Sequence, residues 1–198
     1  KMKLSKSIFQ KMAGVQERLA QGKAIRQTIA RSSLSEFQIK PKRQSALDIL
    51  KQQGQTRIPE YVPIRHARMA VNPFAFYRGG AAIMAHDLST LATVPITVQL
   101  CGDMHVSNFG FFSTTEQQLV FGINDFDETL PGNFDWDLKR LCASAMIAAQ
   151  HLGQDNAYGE SIIRIMMSAY RDHMLTYAHT PYILLSRSYI DDKTLVSK

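Results

Sequence analysis

Apolar residues recur at helical spacing in the opening segment. Ile8, Phe9, Met12, Val15, Leu19 and Ile29 stand between polar positions and predict an amphipathic helix over 5–29. Residues 30–44 are polar and basic, with Ser32, Ser33 and Pro41, and read as a connector. Ser45 is placed to cap a short helix through Leu50 that ends near Gly54. Pro59 and Pro63 predict extended chain over 55–71. Asn72-Pro73 then has the signature of a helix start: asparagine caps well, and proline at the first helical position gives up no bonded N–H. Apolar spacing carries this helix through Phe74, Tyr77, Ala81, Met84 and Leu88 to about Leu91. Gly79-Gly80 falls inside it, where each glycine costs about 1 kcal/mol against alanine. Close packing against another element would account for the pair. The alternative is a helix that starts only at Gly79, with Arg78 near its N-terminus as an anion contact.

Ile96–Leu100 and Leu119–Ile123 are short β-rich runs and predict strands. The segment between them, 101–118, is rich in Gly, Asn and Ser and reads as a structured loop. A turn at Pro131-Gly132-Asn133 leads into helices from about Asp135 to Leu152 and from about Asp155 to Tyr177. The expected fold class is α+β, helix-rich, with short β-hairpins in the middle carrying the polar loops. Residues 1–70 are expected to form a basic helical extension, and 71–198 the segment that carries chemistry.

Composition narrows the classes. With 45% hydrophobic and 20% charged residues, the 198-residue chain is neither disordered nor fibrous. No apolar run approaches the roughly 20 residues of a membrane span. The basic N-terminus is followed by no apolar stretch, so no secretory leader is expected. Cys101 and Cys142 are too few for a disulfide scaffold and predict reduced thiols in a cytoplasmic protein.

Charge is divided unevenly. Residues 1–68 carry 15 Lys and Arg against 4 Asp and Glu, whereas 69–198 carry 8 against 13. No Lys or Arg lies between Arg78 and Lys139, a window holding Asp87, Asp103, Glu116, Asp125, Asp127, Glu128, Asp135 and Asp137. Carboxylates gathered without cations repel one another, and a hard cation such as Mg²⁺ would relieve that. The plainer reading is a solvated acidic face. The cations of the basic third are scattered among few aromatics, so nucleic acid is not an expected partner.

Two polar clusters follow the predicted strands, where a strand fixes the position of reacting groups. They are Cys101-Gly102-Asp103-Met104-His105-Val106-Ser107-Asn108 and Asn124-Asp125-Phe126-Asp127-Glu128. Asp103 precedes Asn108 by five residues, and Asp125-Phe126 comes 17 residues after Asn108, the order of a kinase catalytic loop and its metal-binding Asp. Phosphoryl transfer needs a carboxylate to take the attacking hydroxyl's proton, and an amide oxygen and a second carboxylate for Mg²⁺. Asp103 fits the first role, Asn108 and Asp125 the others, and Asp127 would assist the metal or the substrate.

These residues also resemble a family. The first cluster is similar to the H-G-D-x-H-x-x-N loop of aminoglycoside and choline kinase-like phosphotransferases, part of the protein-kinase-like superfamily, and Ile123–Asp127 resembles their I-D-[FW]-[DE] strand end. In those enzymes another Asp opens the next helix and braces the catalytic loop; Asp137 matches it. More narrowly, P-F-A-F-Y-R-G-G-A-A (73–82), Q-L-C-G-D-M-H-V-S-N-F-G (99–110) and I-N-D-F-D-E-T-L-P-G-N-F-D-W-D-L-K-R-L (123–141) resemble the bacterial "domain of unknown function 2252" family, from about Arg26 to about Tyr177. The resemblance implies a kinase-like catalytic (C-terminal) lobe, Mg²⁺ or Mn²⁺, ATP or another nucleotide, and an unidentified small-molecule or protein hydroxyl acceptor. Arg78 and His105 would then face the cofactor.

The departures are Cys101 in place of the loop's usual His, and the lack of a glycine-rich nucleotide loop or strand lysine upstream. Longer family members carry such a segment after the acidic cluster. The resemblance therefore implies that this chain holds the substrate and metal lobe, and that the full-length protein supplies the nucleotide-binding segment. Two further readings stand beside this one: a kinase-like module that binds a ligand or partner without catalysis, and a metal-dependent phosphohydrolase using the same carboxylates on water.

Other candidates carry less. His86-Asp87 resembles a phosphohydrolase metal pair, but a surface pair is the plainer reading. His105 is expected to brace its own loop. Phe109, Phe111, Phe112, Phe126 and Trp136 are expected in the core. Arg78, beside an acidic window, has either a structural ion pair or a role in the site.

Overall fold

The structure, a computed structural model, describes residues 13–38 and 40–191. Helix α1 covers Val15–Thr28 and buries none of its residues. Ile8, Phe9 and Met12, at the start of the predicted helix, lie outside the described residues. Helix α2 covers Ala46–Gly54, and the Ser45 hydroxyl accepts from the Asp48 N–H as the cap requires.

The next segment corrects the extended reading. Tyr61–Met69 is helix α3. Pro63 sits in its first turn, where the missing N–H would have had no helical partner, so the proline does not block the helix. The long helix predicted after Asn72 is two. Helix α4, Pro73–Gly79, is capped by Asn72 Oδ1 on the Ala75 N–H, and helix α5 covers Ala81–Leu88. Gly80 breaks the helix between them (φ −98°, ψ 22°). Gly79 answers to packing: a Cβ there would lie 2.5 Å from Met69 Sδ. Ile49 and Leu50 of α2, Met69 of α3 and Ile83 of α5 form a buried cluster across position 70.

Among the described residues, four of the five strands fall in the central region. Strand β1 (Thr97–Leu100) pairs antiparallel with β4 (Leu130–Asn133), Leu100 opposite Leu130. Strands β2 (Phe109–Ser113) and β3 (Leu119–Ile123) form an antiparallel hairpin, with β5 (Ile190–Asp191) added at the β3 edge. β2 lies within the predicted loop, and β4 occupies the predicted turn. Pro131 is accommodated because, among the described residues, β4 pairs with β1 alone and stands at a sheet edge. Helices α6 (Asp135–His151) and α7 (Asn156–His179) match the sequence reading, and a short α8 covers Tyr182–Leu185. A Cβ on Gly159 of α7 would lie 2.5 Å from Met146 Sδ of α6, so these helices meet closely there. The chain is α+β.

Phe111, Phe112 and Phe126 are exposed rather than core: Phe111 and Phe112 stand on β2 of a three-stranded sheet whose faces are not fully covered among the described residues, and Phe126 lies in the loop after β3. No described helix is long and apolar enough to cross a membrane, and Cys101 and Cys142 are free thiols.

Candidate functional site

Strand β1 delivers the first polar cluster. Leu100 is buried, and the chain turns immediately after it at Gly102, whose φ of +87° is open to glycine at little cost. A Cβ on Gly102 would fall 1.9 Å from the Glu128 carbonyl oxygen, so the two polar loops touch backbone to backbone here. Thr129 Oγ1 donates to the Leu100 carbonyl (2.6 Å), a second tie between them.

Buried Asn108 is the third tie. Its Nδ2 donates to the carbonyls of Asp103 (3.0 Å) and Asp125 (3.2 Å), one in each loop. With that nitrogen committed, only the amide oxygen remains to meet a cation.

Helix α6 grips the first loop along one face. Asp137 accepts from the N–H groups of Cys101 (2.7 Å) and Gly102 (3.1 Å). Three residues on, Arg140 donates Nε to Asp103 Oδ1 (2.7 Å) and Nη2 to the Tyr77 carbonyl (3.0 Å). Its side chain is 3% exposed, and the guanidinium carbon lies 4.6 Å from the Tyr77 ring centroid. Four residues further, Ser144 accepts from the Val106 N–H (3.1 Å). Positions i, i+3 and i+7 share a helix face, so one helix sets the whole loop. The Tyr77 hydroxyl in turn donates to the Arg140 carbonyl, and burial pushes its pKa up to about 12.

Arg78, Asp103, His105 and Asp125 all line one open groove of about 840 Å³. Asn108, Asp127 and Asp137 lie outside its lining. Asp125 is exposed, and its Oδ1 accepts from the Asp127 N–H (3.1 Å). His105 departs from expectation: among the described residues its buried Nδ1 has no hydrogen-bond partner, and Nε2 stands 3.7 Å from Asp103 Oδ2, so the ring does not brace its loop through Nδ1. Burial lowers its pKa, against the pull of Asp103 and with help from the charges of Arg140 and Arg78. Arg78 has no hydrogen-bond or ion-pair partner among the described residues, which leaves the structural ion pair without support.

The acidic window finds its cations elsewhere in the chain. Asp87 pairs with Arg43 through two hydrogen bonds, which gives the His86-Asp87 pair a structural role. Asp103 pairs with Arg140, Glu128 with Arg57 (3.7 Å), and Asp135 with Lys139 (2.9 Å). Asp125 and Asp127 have no cationic partner among the described residues. No three His, Cys, Asp or Glu side chains converge to hold a metal among the described residues. The donor set of Asp125, Asp127 and the Asn108 amide is hard oxygen all the same. Those oxygens are of the type that would suit a hard cation such as Mg²⁺.

Sequence reasoning missed Arg140 and Ser144, although their helical spacing from Asp137 was a readable signal. It also missed Arg57, Arg65 and Arg68, which line the same groove. A second cavity of about 340 Å³, lined by Phe37, Phe76, Ile83, Met84 and Leu88 among others, contains none of the predicted site residues.

Fold and site together define an α+β protein with two strand-end acidic loops tied to each other, the first of them clamped by helix α6, beside an arginine-lined groove. The family model described as an uncharacterized protein conserved in bacteria (DUF2252) matches residues 57–197, and the chain belongs to that family. No curated protein and no solved structure matches the chain.

Proposed function

We propose that the chain carries the catalytic lobe of a kinase-like phosphotransferase, which moves a phosphoryl group from a nucleotide to a hydroxyl of its acceptor. The observation that carries this reading is the Asn108 amide, which ties the backbone of Asp103 to that of Asp125 while both acids line one groove. Asp103 would take the acceptor's hydroxyl proton as that oxygen bonds to phosphorus and the bond to the leaving phosphate oxygen breaks. Arg140 fixes the Asp103 carboxylate through Oδ1. Asp125 and the Asn108 amide oxygen, assisted by Asp127, would hold Mg²⁺, which neutralises phosphate charge when it is bound. Asp137 would hold the catalytic loop in place through its two amide contacts.

The test is ATP-dependent transfer by the chain to a panel of hydroxyl acceptors in Mg²⁺. Asp103→Asn should lower transfer by roughly 10²- to 10⁴-fold, the usual contribution of a general base. Asp103-dependent phosphate release from a simple ester, without nucleotide, would favour the metal-dependent phosphohydrolase instead. The pairing of Asp103 with a buried arginine favours one other reading, a groove that binds its ligand without catalysis; no transfer to any acceptor would support it.

A further inference from the structure

Four arginines line the groove. Arg65 and Arg68 come from one face of α3, Arg57 precedes that helix, and Arg78 ends α4. Arg57 is engaged by Glu128, and the charge of Asp103 is already met by Arg140. Arg65, Arg68 and Arg78 are therefore left with Asp125 as the remaining carboxylate of the groove lining. Arg68 and Arg78 make no hydrogen bond or ion pair among the described residues, and both are exposed. Arg65 is half-buried and oriented by a 2.7 Å bond from Nη2 to the Gly79 carbonyl. Burial, and then the charge of Arg57, push its pKa below the usual arginine value. Arginines that line one groove, one of them partly desolvated and within reach of the charge of Arg57, are relieved by a bound anion.

We infer that Arg65, Arg68 and Arg78 bind an oligophosphate, taking the part that a glycine-rich loop and a strand lysine play elsewhere. Guanidinium groups present planar forks of donors that match phosphate oxygens in pairs. Three of them around one concavity suit several linked phosphates better than a single carboxylate. The groove volume is in the range that takes a nucleotide-sized ligand. Ile58 and Tyr61 line it too, both well exposed, and offer an apolar surface to the organic part of such a ligand. The inference rests on reading the groove as a phosphotransfer site, and adds that the grip on the phosphates lies within this chain.

The experiment is calorimetric titration of the full chain with tripolyphosphate, ATP and glycerol phosphate at fixed ionic strength. Tripolyphosphate and ATP should bind at one shared site, and glycerol phosphate far more weakly. Arg68→Gln and Arg78→Gln should each weaken tripolyphosphate by roughly tenfold or more. Arg164→Gln, the same charge change on the exposed face of α7, should leave it unchanged. Three results would overturn the inference: no tripolyphosphate binding, ATP binding without tripolyphosphate binding, or equal weakening by Arg164→Gln. Glycerol phosphate binding as tightly as tripolyphosphate would do the same, by reducing the site to a single phosphate. Tripolyphosphate binding without ATP binding would keep the oligophosphate site and assign it to the acceptor. Arginine-dependent binding with no transfer to any acceptor would leave the anion site standing and remove the phosphotransfer reading. Asp103-dependent transfer unchanged by Arg68→Gln and Arg78→Gln would do the reverse.

Discussion

Arg140 is nearly inaccessible, while its partner Asp103 keeps 22% of its side chain exposed to the groove. That asymmetry gives the two single substitutions different costs. Breaking a fully buried ion pair costs about 3–5 kcal/mol because one charge is stranded. Arg140→Met strands Asp103, which water can partly reach, so about 2–4 kcal/mol is expected in urea unfolding. Asp103→Leu strands the guanidinium itself and should cost at least as much. The double variant should be more stable than the sum of the two losses by at least about 1 kcal/mol. Additive losses would show that the pair is not coupled. His105 supplies a second test at this scale. Its lowered pKa means that the folded protein binds fewer protons than the unfolded chain as pH falls below the ordinary histidine value of about 6.5. Stability linked to His105 is therefore fully present above that value and is lost on acidification. The advantage in melting temperature of the native chain over His105→Asn should shrink between pH 7.5 and pH 5; a constant difference would contradict the shift.

At the scale of elements, α6 and the Gly102 turn fix the loop that carries Asp103. Gly102 and Gly153 both have positive φ, +87° and +76°, but only Gly102 faces a backbone. Gly153→Ala should cost only the left-handed strain, about 1–2 kcal/mol. Gly102→Ala adds a collision with Glu128 and should cost more than about 3 kcal/mol, measured by thermal unfolding. Equal costs would mean that the loops are free to separate. Parts of this arrangement were legible in advance. Ser45 and Asn72-Pro73 are local signals, and they predicted where α2 and α4 begin; α6 and α7 were also expected close to their observed bounds. β4 was not legible, because Leu-Pro-Gly-Asn has turn chemistry and becomes a strand only by pairing with β1. Nor was α3, whose Pro63 suggested extended chain. That error concealed half of the site. Residues three apart point to opposite faces of a strand but to one face of a helix, so Arg65 and Arg68 converge only because α3 is helical.

Across the whole molecule, the basic first third and the acidic middle of the sequence are partners. Arg43 meets Asp87, Arg57 meets Glu128, and Arg65 and Arg68 share a groove with Asp103 and Asp125. The sequence suggested a metal ion to relieve the crowded carboxylates. Arginine and lysine side chains pair with four of the eight, Asp87, Asp103, Glu128 and Asp135, and among the described residues Asp125 and Asp127 are left without a cation. The motif spacing of Asp103, Asn108 and Asp125 was readable, whereas the arginines that complete the groove come from distant segments and follow only from the fold. The account rests on the claim that Asp125 meets a divalent cation carried on substrate phosphates. Titration of ATP with and without Mg²⁺, in the native chain and in Asp125→Asn, addresses that claim directly. Mg²⁺ should tighten ATP binding to the native chain by about tenfold or more, and Asp125→Asn should abolish that gain without weakening the metal-free binding. Equal Mg²⁺ gains in the two proteins, or no gain in either, would contradict it.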